Sequence, residues 1–339
     1  MSSQGRPQAP YRETGGLDGY VPSPRALVVG LGGAGSEALR DLEELGLPST
    51  VETLAVNTDG RHLQSLPIRE RILLGQRELG GRGSGGDRSM VSRLAADARD
   101  EFSGRFRRHD LTFLLAGLGG GTGSALLPYC MDLSRQAGSL PIPVAFLPFR
   151  VEMETNPVRR ENTLSALGEI ERQPGLILVL ANEKLRRFEN QPLKRILEIR
   201  NTYVHKLVLS LVDILESPSE INLDLALLRR HVAGAGISTL LVAEGHASEP
   251  DRLLEQALRE GFLDFEIRSP GPTLLHVEGG SNLTLRSLNR LLEVFRAGFH
   301  EPREFAFGAR IREERLESVR VTAIVGGIGP RSVEEALGL

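Results

Sequence analysis

The sequence contains few of the residues that mark disulfide-rich, metal-binding or membrane proteins. Cys130 is the only cysteine among 339 residues, so no intrachain disulfide or multi-cysteine metal site can form. We expect Cys130 to be a small buried apolar residue in a reducing compartment. No apolar run approaches the roughly 18 residues that span a bilayer, and the N-terminus lacks the charged-then-apolar order of a signal peptide. These absences predict a cytoplasmic protein without direct membrane insertion.

The chain also lacks a strong excess of charge of either sign. Its 41 Lys and Arg residues and 44 Asp and Glu residues leave a net charge of -3, and no block of basic residues occurs. We therefore expect no nucleic-acid partner. The lysines are Lys184, Lys194 and Lys206, and none of them lies in a glycine-rich stretch. The absence of a GxxxxGKS or GxxxxGKT element excludes a P-loop nucleotide site.

The apolar pattern of the first half predicts alternating strands and helices. Residues 1–24 are rich in proline and glycine and predict a disordered tail. The segments that follow, ALVVG, LGGAGSEALRDLEELG and VETLAVNTDG, are typical of a strand, a helix and a second strand. Further strands are predicted near 111–116, 143–148 and 176–180. The pattern indicates a mostly parallel sheet, and ligands of such sheets bind at the carboxyl ends of the strands.

The second half predicts a long helix and a smaller mixed domain. Residues 191–216 carry apolar side chains at near-helical spacing, and Pro218 follows them. Beyond this point we expect helices near 223–232 and 253–259 and strands near 238–243, 274–277 and 319–325. The long helix is therefore predicted to connect two domains.

Three glycine-rich stretches are candidates for binding phosphate. The first, GLGGAG at 30–35, either binds a phosphate or dinucleotide through backbone amides or needs glycine only for close strand-helix packing. The second, AGLGGGTGS at 116–124, has too many glycines for packing alone, because each costs roughly 0.5–1 kcal/mol in regular structure. It predicts a polyphosphate held by main-chain NH groups and the Thr122 and Ser124 hydroxyls. The third, 80–87, either closes over the terminal phosphate or is a flexible surface loop.

The motif GLGGGTGS resembles the GGGTGSG signature of the tubulin/FtsZ family, from which it departs at Ala125. Further segments are similar to FtsZ in the same order, namely VNTDGRHL, GRGSGGD, LPFRVE, LANEKL, INLDLALLRR and the late pair EGGSNLTL with VRVTAIVGG. The similarity extends over residues 25–329. The chain thus resembles a divergent FtsZ-like protein.

The resemblance implies an α/β fold in which a Rossmann-type parallel-sheet GTP-binding domain and a smaller α+β activation domain are joined by a long central helix. The implied segments are a disordered N-terminal tail (1–24), a nucleotide-binding domain (25–190), a central helix (191–217), a C-terminal activation domain (218–329) and a short tail (330–339). The implied cofactor is GTP or GDP, with Mg²⁺ bound through the phosphates and water.

The resemblance also implies which residues form the nucleotide site. The residues assigned to the phosphates are Gly32, Gly33, Ala34, Gly35, Ser36, Glu37, Gly119, Gly120, Gly121, Thr122, Gly123 and Ser124. Asn57 and residues 81–87, which include Gly83, complete this pocket. Pro148 and Glu152 match the ribose-side loop. Across an apparent small insertion, either Arg159 or Arg160 is the nearby arginine, and Arg159 is the first choice.

Guanine offers an N1–H and an amino group as donors, so its pocket needs carboxylate or amide acceptors. Asn182 matches the family's base-contacting asparagine, and Glu37 stands where FtsZ usually has asparagine. On the predicted central helix, Thr202 aligns without gaps with the FtsZ aspartate. Asn201, by contrast, has a tubulin-like spacing from Asn222. Both remain candidates. Tyr203 either stacks on the base or is buried between the domains.

Family members complete the GTPase on head-to-tail assembly, when an Asn-x-Asp-x-x-acid loop reaches the nucleotide of the next subunit. Here Asn222 and Asp224 are the implied catalytic residues, but Leu227 replaces the second acid. Leucine cannot polarise a water, and Asn222 and Asp224 also suit a helix N-cap. We therefore expect head-to-tail filaments with weak or absent self-stimulated hydrolysis. A fully active filament-forming GTPase in cell division is the alternative.

Two further expectations concern partners and a remote alternative. After Val325 only residues 326–339 follow, without the polar linker and apolar-basic peptide by which division FtsZ docks membrane adaptors. The resemblance therefore favours a paralogue that assembles with itself, and a second FtsZ-like subunit or a membrane adaptor are the other candidate partners. An NAD-binding oxidoreductase, with Asp59 holding the ribose, is the remote alternative, but it leaves GLGGGTGS unexplained.

Overall fold

The computed structural model describes residues 24–216, 225–263, 271–315 and 318–338 of the chain. The predicted N-terminal tail up to residue 23 and the predicted catalytic residues Asn222 and Asp224 lie outside these ranges.

Strands and helices alternate through the first half, as predicted. The strands are β1 (Ala26–Leu31), β2 (Val51–Asn57), β3 (Arg71–Leu73), β4 (Leu111–Gly117), β5 (Leu140–Leu147), β6 (Leu176–Ala181), β7 (Gly236–His246), β8 (Thr273–Gly279), β9 (Phe305–Ile311) and β10 (Ser318–Val325). The α-helices are α1 (Gly32–Leu45), α2 (Gly60–Ser65), α3 (Gln76–Leu79), α4 (Arg88–Asp97), α5 (Arg99–Phe106), α6 (Gly121–Gln136), α7 (Arg150–Thr155), α8 (Pro157–Glu171), α9 (Leu193–Glu216), α10 (Leu225–Ala233), α11 (Pro250–Glu260), α12 (Leu285–Gly298) and α13 (Pro330–Leu337). Short 3₁₀ helices lie at Asn182–Phe188 and Glu313–Arg315.

All the strands join one sheet in the order β3-β2-β1-β4-β5-β6-β7-β10-β8-β9. The strands from β3 to β7 pair in parallel. β10 is antiparallel to both of its neighbours, whereas β8 and β9 are parallel. The predicted α/β fold with a mostly parallel sheet is confirmed. The strand order reverses between β1 and β4, and ligands of such sheets bind in the crevice at that reversal.

The parallel strands are buried on both faces, which explains their continuous apolar runs. In β1, Ala26 and Val28 pack in one core cluster, and Leu27, Val29 and Leu31 pack in another on the opposite face. Crossover helices cover both faces of a parallel sheet, so its strands lose the alternation of polar and apolar residues. A third cluster lies within the second half of the chain, between its strands and helices α11 and α12.

The long central helix, α9, packs an apolar face against the sheet. Val204, Leu207 and Leu211 recur at helical spacing and are buried in one core cluster with the first face of β1. Beyond this face, the Asp213 carboxylate accepts a hydrogen bond of 2.7 Å from Arg310 in β9. The helix therefore contacts both halves of the sheet, and its N-terminal turns reach the carboxyl ends of the parallel strands.

Several elements were not predicted, among them β3, β9, α12 and α13. Strand β3 is too short to give a periodic signal, and the FAFGARI pattern of β9 is only partly apolar. Residues 330–337, predicted to belong to a short tail, form helix α13, and its Val333 and Leu337 side chains are buried. The Arg150 guanidinium donates hydrogen bonds to backbone carbonyls at the C-terminal end of this helix. Within the described ranges, no helix has the length and apolar character needed to cross a bilayer.

Candidate functional site

Two helices begin at the crevice where the strand order reverses. α1 starts at Gly32 directly after β1, and α6 starts at Gly121 just after the adjacent β4. The residues that precede them, Leu31 and Gly120, carry no side-chain oxygen, so neither can cap its helix. The first backbone NH groups of a helix have no partner inside the helix and carry a partial positive charge. Together they form a site suited to a polyanion.

The glycines of these loops serve two different purposes. A Cβ on Gly35 or Gly123 would lie closer than 3.0 Å to a carbonyl oxygen of β4. These two positions therefore require glycine because helices α1 and α6 pack tightly against that strand. At Gly33 and Gly120, by contrast, no described atom lies within 4 Å of the position of an added Cβ. Close packing therefore explains only part of the glycine content, and the exposed backbone of Gly33 and Gly120 faces open space.

The third glycine stretch is held against the second by buried polar side chains. The Thr58 and Thr122 hydroxyl oxygens lie 2.9 Å apart, and the Ser84 backbone NH donates to the Thr58 hydroxyl at 3.1 Å. Asn162 donates from Nδ2 to the Gly86 carbonyl at 2.9 Å and to the Gly119 carbonyl at 3.2 Å. These bonds place the stretch beside the second loop. The sequence analysis did not identify Asn162, a polar residue that the structure buries within helix α8.

Some predicted phosphate-site side chains shape the loops instead of lining the cavity. The Ser36 hydroxyl donates to the Gly30 carbonyl at 3.2 Å, and the Ser124 hydroxyl accepts from the Gly119 NH at 2.8 Å. The Asn57 carboxamide oxygen accepts from the next backbone NH at 2.8 Å, within the turn after β2. Thus these three residues fix the backbone that the glycines expose.

A cavity of about 740 Å³ lies beside the first two loops. Predicted site residues among those that line it are Ala34, Glu37, Pro148, Glu152, Arg159, Asn182 and Asn201. Among the described lining residues, Asn201 and Arg159 are present, whereas Thr202 and Arg160 are not. Thr202 donates its hydroxyl to the Glu198 carbonyl at 3.0 Å. Arg159 donates to Glu152 at 2.8 Å. Of each pair of candidates, the geometry therefore brings one to the cavity.

One end of the cavity is built around Arg200, a fully buried residue that sequence reasoning missed. Its guanidinium donates to the Asn182 oxygen at 3.0 Å and to the Asn201 oxygen at 2.9 and 3.1 Å. Asn201 donates from Nδ2 to Asp41 at 2.7 Å. The guanidinium carbon lies 3.8 Å from the Phe146 ring centroid, a cation–π contact. Burial lowers the pKa of Arg200 to about 10, so it stays charged at neutral pH.

Glu37 and Asp41 add carboxylates from α1. Glu37 pairs with Arg40 and lies 2.9 Å from the His62 ring, so its oxygens are partly engaged. Asp41 accepts two hydrogen bonds from Arg40 on Oδ1, at 2.6 and 3.1 Å. Both carboxylates line the cavity, and both are flanked by cationic or hydrogen-bond donor groups.

Two open alternatives concern residues away from the cavity. The Tyr203 hydroxyl donates to Glu260 at 2.8 Å, and its ring packs edge-on against Phe262 at 5.1 Å. Among the described residues that line the cavity Tyr203 is missing, which favours burial between the two halves. Asp59 accepts hydrogen bonds from the backbone NH groups of Arg61 and His62, both at 3.0 Å, so it caps α2. The cap gives Asp59 a structural role that does not depend on the NAD alternative.

Leu227, at the first turn of α10, is half-buried and packs against the main core cluster. Cys130 is buried in α6, and burial raises the pKa of its thiol. Within the part of the chain that the structure describes, no group of three or more His, Cys, Asp or Glu side chains is placed to hold a metal ion.

Comparison with known proteins gives consistent matches over most of the chain. Residues 25–190 match the family model for the GTPase domain of the Tubulin/FtsZ family, and residues 236–329 match that for the C-terminal domain of the FtsZ family. The chain is 31% identical over 305 residues to the cell division protein FtsZ of Methanothermobacter thermautotrophicus, which covers 89% of this chain and 78% of that protein. It is 29% identical to cell division protein FtsZ 2 of Halobacterium salinarum, over 92% of this chain and 80% of that protein.

The fold agrees with these matches. A solved structure of an empty FtsZ dimer from M. jannaschii superposes with a TM-score of 0.79 at 27% identity, over 91% of this chain and 90% of that chain. A protofilament of CetZ2 from Haloferax volcanii with GTPgS bound gives a TM-score of 0.77 at 19% identity, a likeness of fold. The glycine-loop crevice, the two family models in sequence order and the identity to FtsZ over nearly the whole chain agree, and the chain belongs to the tubulin/FtsZ family.

Proposed function

We propose that this chain is a cytoskeletal protein that binds GTP or GDP in the cavity beside α1 and α6 and assembles head to tail into filaments. The observation that carries the proposal is the pair of helix N-termini without side-chain caps, which meet at one crevice with Gly33 and Gly120 open. A nucleotide's phosphates are the polyanion that fits this backbone site. Mg²⁺ would be held through those phosphates and water.

The chemistry of the other end of the cavity supports guanine over adenine. Its walls carry the carboxylates of Glu37 and Asp41 and the amides of Asn182 and Asn201. Guanine offers two adjacent donors, N1–H and the 2-amino group, which carboxylates accept, whereas adenine has an acceptor at N1 and no 2-amino group. GTP and GDP should therefore displace a bound guanine nucleotide far better than ATP. Equal displacement by ATP and GTP would reject this assignment of the base-binding residues.

The finer part of the proposal is that self-stimulated hydrolysis is weak or absent. The segment that contains Asn222 and Asp224 supplies one acid, and the half-buried Leu227 at the position of the second acid packs against the main core cluster. An apolar side chain cannot activate or orient a water, and loss of a positioned acid or base typically costs about 10²–10⁴ in rate. The alternative is a fully active GTPase that acts in cell division, and the names of the relatives at 31% and 29% identity favour the role in cell division.

Electron microscopy of the purified chain with GTP, GDP and no nucleotide, beside a phosphate-release assay, tests the proposal. We expect filaments with GTP that persist, and phosphate release that stays slow as the protein concentration rises. Fast, concentration-dependent release would support the alternative of a self-activating GTPase. A chain that neither binds guanine nucleotide nor forms filaments would overturn the proposal.

We also propose that the chain divides into a nucleotide-binding domain at 25–190, a central helix at 191–217 and an activation domain at 218–329. The positions of the two family models and the packing of α9 against both halves of the sheet support it. The second FtsZ-like subunit and the membrane adaptor stay candidate partners, and co-sedimentation of filaments with cell extract is the direct way to search for them.

A further inference from the structure

Arg200 fixes the orientation of the two asparagine amides, Asn182 and Asn201, at one end of the cavity. Arginine has five NH donors and no acceptor, so an amide that touches it must present its oxygen. Both predicted base-binding residues, Asn182 and Asn201, turn their oxygens to Arg200. On Asn201 that oxygen accepts two hydrogen bonds, so both of its lone pairs are in use. Asn201 therefore has no acceptor left for the N1–H or amino group of guanine.

Asp41 has the free hydrogen-bond acceptor that Asn201 lacks. Asn201 donates from Nδ2 to Asp41 Oδ2 at 2.7 Å, and Arg40 donates twice to Oδ1. A carboxylate can accept about four hydrogen bonds. Three are in use here, which leaves a lone pair on Oδ2. Asp41 lines the cavity, its side chain is only 10% exposed, and its charge is fixed in place by Arg40 and Asn201.

We propose that Asp41 is the residue that selects guanine, by accepting a hydrogen bond from its 2-amino group, and that Arg200 is a positioning residue that holds Asn201 so that Asp41 faces the base. This inference rests on the proposed binding of guanine nucleotide in the same cavity. It moves base recognition from Asn201 on α9 to a carboxylate on α1, whereas the Asn182 oxygen accepts one hydrogen bond from Arg200 and keeps a second lone pair. Arg200 acts through the asparagines and does not touch the base.

The test exchanges the acceptor for a donor. Xanthine carries a carbonyl oxygen at C2 in place of the amino group of guanine, and hypoxanthine, the base of IDP, carries neither. Asp41→Asn offers an Nδ2 donor, so it should weaken GDP binding about 10-fold or more and strengthen XDP binding by a similar factor. Binding of GDP, XDP, IDP and ADP to the full chain is measured by competition against a fluorescent guanine nucleotide. The matched control is Asp132→Asn on α6, where the carboxylate pairs with Arg135 on the same helix. It should leave every ratio unchanged.

Nucleotide binding by the unmodified chain distinguishes failure of the proposed function from failure of the proposed role of Asp41. Failure to bind GDP, or equal binding of GDP and ADP, removes the proposed function. GDP bound well above ADP but no better than IDP leaves that function standing and overturns the role of Asp41. Should Asp41→Asn lower the unfolding temperature below the assay range, Asp41→Ser tests the same acceptor, and it should bring GDP and IDP within about threefold of each other. A folded variant that keeps the preference for GDP over IDP and XDP would also overturn it.

Arg200→Lys tests the positioning role. Lysine keeps the charge but not the planar fork that bonds two amides at once. We expect the preference for GDP over IDP to fall about 10-fold while IDP affinity stays within threefold, because the phosphate end is untouched. A general loss of structure would lower both affinities together and would contradict this role.

Discussion

The proposed phosphate site, which lies beside the cavity, and the base-binding end inside the cavity are built from different groups. The phosphate end is made of backbone, with two helix N-termini and open glycines whose amides need no particular side chain. The base end is made of side chains from three separate elements, Asp41 on α1, Asn182 after β6 and Arg200 with Asn201 on α9. Under the proposed function, affinity for a polyanion therefore resides in local backbone geometry, and selectivity among bases resides in long-range side-chain contacts.

Blocking the backbone end should have the largest effect. Gly120 has ordinary extended backbone angles and open space around it, so Gly120→Val should fold normally. Its side chain would enter the open space in which we propose that the phosphates bind. Loss of two charge-assisted hydrogen bonds would weaken GTP and ATP alike, by roughly 10²–10³. Isothermal titration measures the nucleotide affinity, and thermal unfolding shows whether the variant folds normally. Gly104→Val, at another glycine with nothing within 4 Å of an added Cβ, is the control and should bind normally. Normal GTP affinity in Gly120→Val would show that this loop does not contact the phosphates.

The neighbouring subunit is expected to complete the phosphate end, and Leu227 tests that contribution. Restoring an acid in Leu227→Asp should raise phosphate release by roughly 10² and shorten filament lifetime, since one positioned acid or base is worth about 10²–10⁴. Leu227→Asn, which is polar but uncharged, should not do so. Asp224→Ala should abolish the remaining activity. Release from Leu227→Asp no faster than from Leu227→Asn, in variants that both fold and assemble, would refute the role of the missing acid.

The side-chain end should affect one base more than another. Asn182→Ala removes one acceptor of Arg200 hydrogen bonds and leaves the buried guanidinium partly unpaired. We expect GDP affinity to fall about 10-fold, and ADP affinity to change little, because the loss concerns base contacts. Competition binding of the two nucleotides gives the ratio. Equal losses for GDP and ADP would indicate that Asn182 supports the fold of the cavity and not the reading of the base.

The smallest effect is expected outside both ends. Burial alone would raise the pKa of Glu244, but hydrogen bonds from Lys206 and Arg320 outweigh it and lower the pKa to about 2. A carboxylate with a lowered pKa in the folded state stabilises the fold above its ordinary pKa of 4.5, and this stabilisation is lost as the pH falls toward 2. Glu244→Gln should therefore lower stability at pH 7 by less than about 1 kcal/mol, because the pair is partly exposed, and flatten the acid limb of unfolding. Nucleotide selectivity should not change. An unaltered acid limb would refute the assignment.

The sequence predicted the strand-helix alternation and the glycine loops well because both depend on local patterns. Apolar runs bounded by glycine identify buried parallel strands, and β1, β4, β5 and β6 lie where these runs occur. It failed for β3, β9 and α13, whose patterns are short or mixed, and whose structure depends on a partner strand or on packing against Asn182–Phe188. The two candidates in each of the pairs Asn201 and Thr202, and Arg159 and Arg160, are neighbours in sequence, and alignment alone does not decide between adjacent positions of a helix.

What the sequence determined by itself is the class of site, because a helix that starts at a glycine loop after a buried strand exposes backbone amides wherever it occurs. What only the tertiary structure decided is which side chains meet at the base end and how they are hydrogen-bonded to one another. Asp41 and Asn201 are 160 positions apart in the chain, and their hydrogen bond forms because α9 packs along α1. Arg200 carries no motif that would reveal it. From sequence alone, an arginine on a helix is expected to be exposed to solvent. The fold instead buries Arg200 against Phe146 and between the amides of Asn182 and Asn201. Because arginine has no acceptor, it fixes the orientation of both amides.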